Sequence, residues 1–165
     1  MYVIRPTRPL LTKLGIRSRS TAVVTTTTAL GDWFLRTHNV GRQRLLLCTS
    51  SKSLLTVLIT ARDLAAVSLR LRSAVGDLLF AIGAPLAAIN RELDEMHDSM
   101  FGFSNDRRVI GSMTDMAYMA DGYLRDGSSA EHFVVVGMKL AQSPCRPLEY
   151  DSPERVALAL LRGTA

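Results

Sequence analysis

Two hydrophobic periods divide this sequence, and they change over near residue 60. Before that point apolar residues come in short runs broken by turn residues; after it they recur at helical spacing. Tyr2–Arg5 reads as a short strand, followed by a short helix over Arg8–Leu14 that Thr7 caps and Gly15 stops. Asp32–Val40 and Arg44–Thr49, joined at Gly41-Arg42-Gln43, read as a hairpin, and Ser50-Ser51-Lys52 turns into a third strand over Leu54–Ile59. Arg17–Thr28, rich in Ser and Thr, reads as a mobile loop.

The second half is helical. Ala61–Ile82 carries Leu64, Val67, Leu71, Val75 and Leu78 on one face and stops at Gly83. Further helices are expected from Pro85 to Glu95, over Ser104–Arg125, over Ala130–Ala141, and from Ser152-Pro153-Glu154 to about Gly163, with an additional strand at Asp98–Phe103. Strands first and helices after predict an α+β fold in one domain, residues 1–165. Its expected core is a small antiparallel sheet, the N-terminal strand plus a three-stranded meander, with five or six helices covering one face.

Charge narrows the function classes less than it first suggests. The net charge of +5 lies entirely in Arg5, Arg8, Lys13, Arg17 and Arg19, which all precede the first acidic residue, Asp32. Such a segment fits a basic arm on nucleic acid, a transit peptide, or ordinary solvated charge; the absence of interleaved aromatics favours the last. No apolar run approaches the roughly 20 residues that cross a bilayer, and Met1–Leu11 is not a secretory signal, so no membrane association is expected. Cys48 sits inside an apolar run and Cys145 stands alone, which fits buried thiols in a reducing cytoplasm.

The segment Ser104–Arg125 holds the candidate site. Asn105 or Asp106 is placed to cap the helix, and Val109, Ile110, Met113, Met116, Ala117, Ala120 and Leu124 define its buried face. Off that face Arg108, Ser112 and Asp115 form a polar stripe. With Arg107 they offer a helix N-terminus, two guanidinium groups and a carboxylate, a set suited to an anion such as phosphate. The same residues also fit a network that pins the helix to the meander. Gly31-Asp32-Trp33 supplies a second candidate: Asp32 as a turn residue or partner contact, and Trp33, the single tryptophan, as a core-edge residue or binding anchor. His38, His97 and His132 are scattered; Asp94–His97 is one pair with metal-ligand spacing, and nothing else completes it. No triad, P-loop or metal set is complete, so neither cofactor nor metal is expected.

Ile4-Arg5-Pro6-Thr7-Arg8, Leu30-Gly31-Asp32-Trp33 and Arg107-Arg108-Val109-Ile110-Gly111-Ser112-Met113-Thr114-Asp115 together resemble a family of small uncharacterised bacterial proteins. Its members carry a Leu-Gly-Asp-Trp segment and a helix beginning near Arg-x-Val-Leu-Gly-Ser-Met-Asn-Asp. Thr114 stands where that pattern has Asn. The resemblance implies a bacterial, cytoplasmic setting, places Met1–Gly15 inside the fold, and by association suggests a toxin–antitoxin or defence component. Two functions are therefore carried forward. One is a module that binds a protein partner or a second copy of itself. The other is a phosphate-handling enzyme or nucleic-acid effector using Arg107, Arg108, Ser112 and Asp115, with the basic N-terminal segment along the backbone.

Overall fold

The computed structural model describes residues 1–16, 24–124 and 130–163. Part of the Arg17–Thr28 loop, with Arg17 and Arg19 of the basic segment, lies outside the described residues. Five strands are described: β1 (Tyr2–Pro6), β2 (Trp33–Val40), β3 (Gln43–Ser50), β4 (Thr56–Thr60) and β5 (Ser99–Phe101). The described helices are α1 (Arg8–Lys13), α2 (Val67–Ala81), α3 (Leu86–Glu95), α4 (Arg107–Leu124), α5 (Ala130–Gln142) and α6 (Pro153–Gly163), with short 3-10 turns at Leu64–Ala66 and Arg146–Leu148. The class is α+β.

The strands form one sheet in the order β4-β3-β2-β1-β5. β2, β3 and β4 make the expected antiparallel meander, with Leu35 opposite Cys48 and Leu47 opposite Leu58. β1 differs from the expectation: it runs parallel to β2, with Ile4 opposite Trp33, and parallel to β5, with Val3 opposite Met100. The sheet is mixed because a crossover through α1 separates β1 from β2, and a crossover returns the chain to the same direction, whereas a tight turn reverses it.

Helices cover both faces, not one. Side chains alternate along a strand, so Tyr2, Ile4, Trp33, Leu35, Leu46, Cys48, Val57 and Ile59 point to one side and meet α2, α3 and α6 through Leu71, Val75, Leu78, Ile89, Ala157 and Leu161. Phe34, Leu45, Leu47 and Leu58 point to the other side and meet α4 and α5 through Val109, Met113, Met116, Phe133, Val136 and Leu140. The run Leu45-Leu46-Leu47-Cys48 is buried throughout because β3 is inside on both faces. Met113 and Met116 belong to this core.

Local chemistry sets the helix ends. Asp106 caps α4, its Oδ1 accepting from the N–H groups of Arg108 (2.9 Å) and Val109 (3.3 Å). Gly83, at φ +77°, ends α2, and the Ala84 N–H bonds back to the Leu79 carbonyl. Ser152 and Pro153 start α6 as their order predicts. Thr7 makes no side-chain cap on the six-residue α1.

Candidate functional site

The polar stripe on α4 does not converge. Ser112 is buried, and its hydroxyl donates to the Arg108 carbonyl one turn earlier, 2.9 Å away. The Arg108 guanidinium leaves the helix and donates to the carbonyl of Ser51, in the turn between β3 and β4. Asp115 is exposed and, among the described residues, forms no ion pair with either arginine; Arg107 is exposed as well. The four residues therefore make a helix anchor and two solvated charges, not a shared anion pocket.

The opposite flank of α4 carries the contacts that sequence reasoning missed. Arg107, Gly111, Thr114, Tyr118 and Asp121 recur at i, i+4, i+7, i+11 and i+14, one stripe along the helix. Thr114 accepts from Arg36 Nη1 at 3.1 Å, and Asp121 lies 2.8 Å from His38 Nε2. Arg36 and His38 alternate on β2, so the stripe runs along that strand and the two pairs fasten α4 to the sheet. His38 has no hydroxyl or thiol hydrogen-bonded to its ring among the described residues, which leaves it without a nucleophile to activate. A contact across 83 residues leaves no mark in local spacing, so nothing in the sequence distinguished His38 from the other two histidines.

Asp32 and Trp33 are structural. Trp33 is fully buried in the face under α2 and α3, so it presents nothing to a partner in this fold. Gly31, at φ +83°, turns the chain into β2 where a Cβ would collide with Ser51 Oγ and meet Lys52 Cγ at 3.0 Å. Asp32 then ties the first strands together: its carboxylate accepts from the Val3 N–H (3.2 Å), from Arg5 Nε (2.8 Å) and from the Thr26 hydroxyl. Its backbone exchanges bonds with Ser51, the N–H donating to Ser51 Oγ and the carbonyl accepting from the Ser51 N–H. Arg5 also donates to the Phe103 carbonyl at 2.8 Å, so one cation of the basic N-terminal segment is consumed by the fold.

Glu92 completes this clamp from α3. Only 2 % exposed, it accepts from the N–H groups of Ala29 (2.7 Å) and Leu30 (3.1 Å). Burial pushes its carboxyl above the ordinary range, and the two N–H groups and the Lys52 charge offset part of that. A raised value means that the folded chain holds a proton the unfolded chain releases. Stability should therefore be highest below the ordinary carboxyl range and fall as pH rises towards the folded value. Glu92→Gln loses one of the two hydrogen bonds, about 1 kcal/mol, but should flatten this slope. Urea midpoints across pH for both proteins measure it, and parallel curves would refute the assignment.

Burial raises the Cys48 thiol far out of the reactive range, and burial with the charges of Asp115 and Asp151 raises Cys145. Among the described residues no three His, Cys, Asp or Glu side chains gather as a metal site, so the Asp94–His97 pair is not completed.

Several recesses open on the surface, among them one of about 500 Å³ between Thr26–Ala29 and α6 and one of about 420 Å³ beside Arg42–Arg44. At the β4 end of the sheet a groove of about 220 Å³ opens between α2 and α5. Arg70, Ser73 and Asp77 form its α2 wall, Phe133, Val134 and Gly137 its α5 wall, and Val57–Thr60 its floor. The volume lies below the roughly 300–1,000 Å³ of small-molecule sites, and the lining is mainly apolar. Nothing in the sequence marked it, because α2 and α5 lie far apart in the chain and meet only over the sheet edge.

No helix among the described residues is long and apolar enough to cross a membrane. No curated protein and no solved structure matches the chain. A family model, described as a domain of unknown function (DUF6933), matches residues 3–156. That span takes in β1 from Val3 onward, the Gly31-Asp32-Trp33 turn, both walls of the groove and the start of α6, and the chain belongs to the DUF6933 family.

Proposed function

We propose that this chain is a bacterial cytoplasmic protein-binding module, working as one component of a toxin–antitoxin-like or defence system, and that its partner docks at the groove between α2 and α5. The observation that carries the docking site is the groove itself: a mainly apolar recess, too small for most metabolites, between α2 and α5 beside the edge strand β4. The bacterial setting and the system rest on the family resemblance alone. The phosphate-handling and nucleic-acid alternative has weaker support, since Ser112 and Arg108 are spent on the fold and Arg5 is paired with Asp32.

Photocrosslinking in the native host tests this reading. A benzoylphenylalanine at Ser73 should capture one discrete protein, and a second substitution, Val134→Glu, should abolish the adduct. A crosslinker at Leu86, 64 % exposed on α3, serves as the control. The same adducts from Ser73 and Leu86, or an adduct indifferent to Val134→Glu, would defeat the proposal.

A further inference from the structure

A second recess meets the groove at the end of β4. Its volume is about 420 Å³, and it is lined by Arg42, Gln43 and Arg44 from the hairpin joining β2 to β3, and by Thr60, Ala61 and Arg62 where the chain leaves β4. Thr60 lines both recesses, so they adjoin at that residue.

The backbone around this second recess is fixed from two sides. The Ala61 N–H bonds to the Arg44 carbonyl, which holds the start of β3 beside the chain leaving β4. Arg70 reaches the same stretch from α2: Nη2 donates to Thr60 Oγ1 at 2.9 Å, and Nη1 donates to the Arg62 carbonyl. Arg70 is therefore occupied in holding the backbone that presents Arg62, and its fixed charge adds to the positive potential there.

The other three arginines are uncommitted. Arg42, Arg44 and Arg62 are exposed, and none forms an ion pair among the described residues. No carboxylate among the described residues lines their recess. Asp63, next to Arg62 in the chain, is exposed and forms no ion pair either. Asp77 lines the groove seven residues along α2 from Arg70, about 10 Å by the helical rise and so about one Debye length away. Like charges around one recess repel one another, and an anion placed among them replaces that repulsion with attraction.

We infer that the recess formed by Arg42, Arg44 and Arg62 takes an acidic segment of the protein partner, its Asp or Glu carboxylates held by the guanidinium groups, beside the part of the partner that docks at the groove between α2 and α5. This rests on the protein-binding reading and goes further by fixing the partner's charge. Arginine forks match carboxylates bidentately, where a lysine offers only a point charge. Charge also gives the complex a direction, because Asp77 repels an acidic segment from the other part of the groove. A nucleic-acid strand fits less well: no aromatic side chain lines the arginine recess for a base to stack on, and a phosphate backbone gains nothing from the mainly apolar groove that adjoins it.

A random twelve-residue peptide display library is the probe, selected on the whole protein and then subtracted on the Arg42→Gln, Arg44→Gln, Arg62→Gln variant. All three positions are exposed, so the melting temperature should not change. Surviving peptides should be enriched in Asp and Glu. As synthetic peptides they should bind the triple variant about tenfold or more weakly and each single variant about two- to fivefold more weakly. Their binding should also weaken as salt rises. Arg8→Gln, Arg146→Gln, Arg162→Gln removes the same net charge from exposed positions outside both recesses. It should change binding about twofold or less, because only the long-range field is altered.

The inference is overturned if the survivors are not acidic, or if the two triple variants weaken binding alike. It is also overturned if a fluorescein-labelled oligouridine binds more tightly than the acidic peptides and loses that binding in the Arg42, Arg44, Arg62 variant, because the ligand would then be a phosphate backbone. A host protein that crosslinks at Ser73 equally well in that variant would remove the acidic segment and leave the protein-binding reading standing. Acidic peptides that bind while Ser73 captures nothing in the host would remove the partner itself, and the inference with it.

Discussion

Trp33→Ala is expected to destabilise the protein by about 3–5 kcal/mol, the range for removing a large aromatic side chain from a packed core. Trp33 is completely buried and sits in the middle of the sheet, on the strand between β1 and β3. Below it lie α2 and α3, whose inward residues reach the sheet through this layer, so truncation leaves a cavity that rigid neighbours on both sides cannot close. Trp33→Phe should cost markedly less. Among the described residues Trp33 Nε1 has no hydrogen-bond partner, so phenylalanine removes volume but breaks no hydrogen bond. Urea unfolding followed by circular dichroism measures both. The wild-type emission should be blue-shifted, resist quenching by acrylamide, and stay unchanged on partner binding. A quenchable tryptophan, or an alanine variant within about 1 kcal/mol of wild type, would contradict this placement.

Asp32→Ala is the second large effect, expected at about 3 kcal/mol, at the low end for breaking a buried charge pair. The side chains of Asp32 and Arg5 are 15 % and 21 % exposed, so water screens the pair only in part. Removing the carboxylate leaves the Val3 N–H without its acceptor and Arg5 with only the Phe103 carbonyl. It also frees the Thr26 hydroxyl, loosening the segment that enters β2. Arg5→Met in the Asp32→Ala background should recover part of the loss, since an unpaired guanidinium no longer has to be held between strands. A double-mutant cycle isolates that coupling, expected at about 1–2 kcal/mol. Strictly additive losses would mean that Asp32 acts through its bonds to Val3 and Thr26 and not through the ion pair.

These two residues show how function and architecture are confused in a one-dimensional reading. Asp32 and Trp33 have the composition of a binding hot spot, and the fold spends both on joining strands. The α4 segment behaves similarly. Its helix and its buried Val109, Met113 and Met116 follow from local spacing, and of the two caps that the spacing allows, Asn105 and Asp106, the structure uses Asp106. Which neighbour each flank meets depends on β2 and on the β3–β4 turn, so spacing alone did not reveal that Ser112 bonds back to its own helix. The continuous run Leu45–Cys48 did carry a usable signal. A strand with no polar alternation is buried on both faces, which argues for helices on both sides and against the single covered face that the order of elements suggests.

By itself the sequence determined the α+β class, the meander, the helix starts at Asn105-Asp106 and at Ser152, and most element boundaries to within a few residues. Those features depend on contacts between near neighbours: turn chemistry, caps and periodicity. Only the tertiary structure decided that β1 lies between β2 and β5 and parallel to both, that Glu92 holds the Ala29-Leu30 turn, that His38 meets Asp121, and that α2 and α5 meet over the edge strand β4. Each of these joins residues far apart in the chain. Their geometry is set by how whole faces pack, and no local pattern of residue types encodes it.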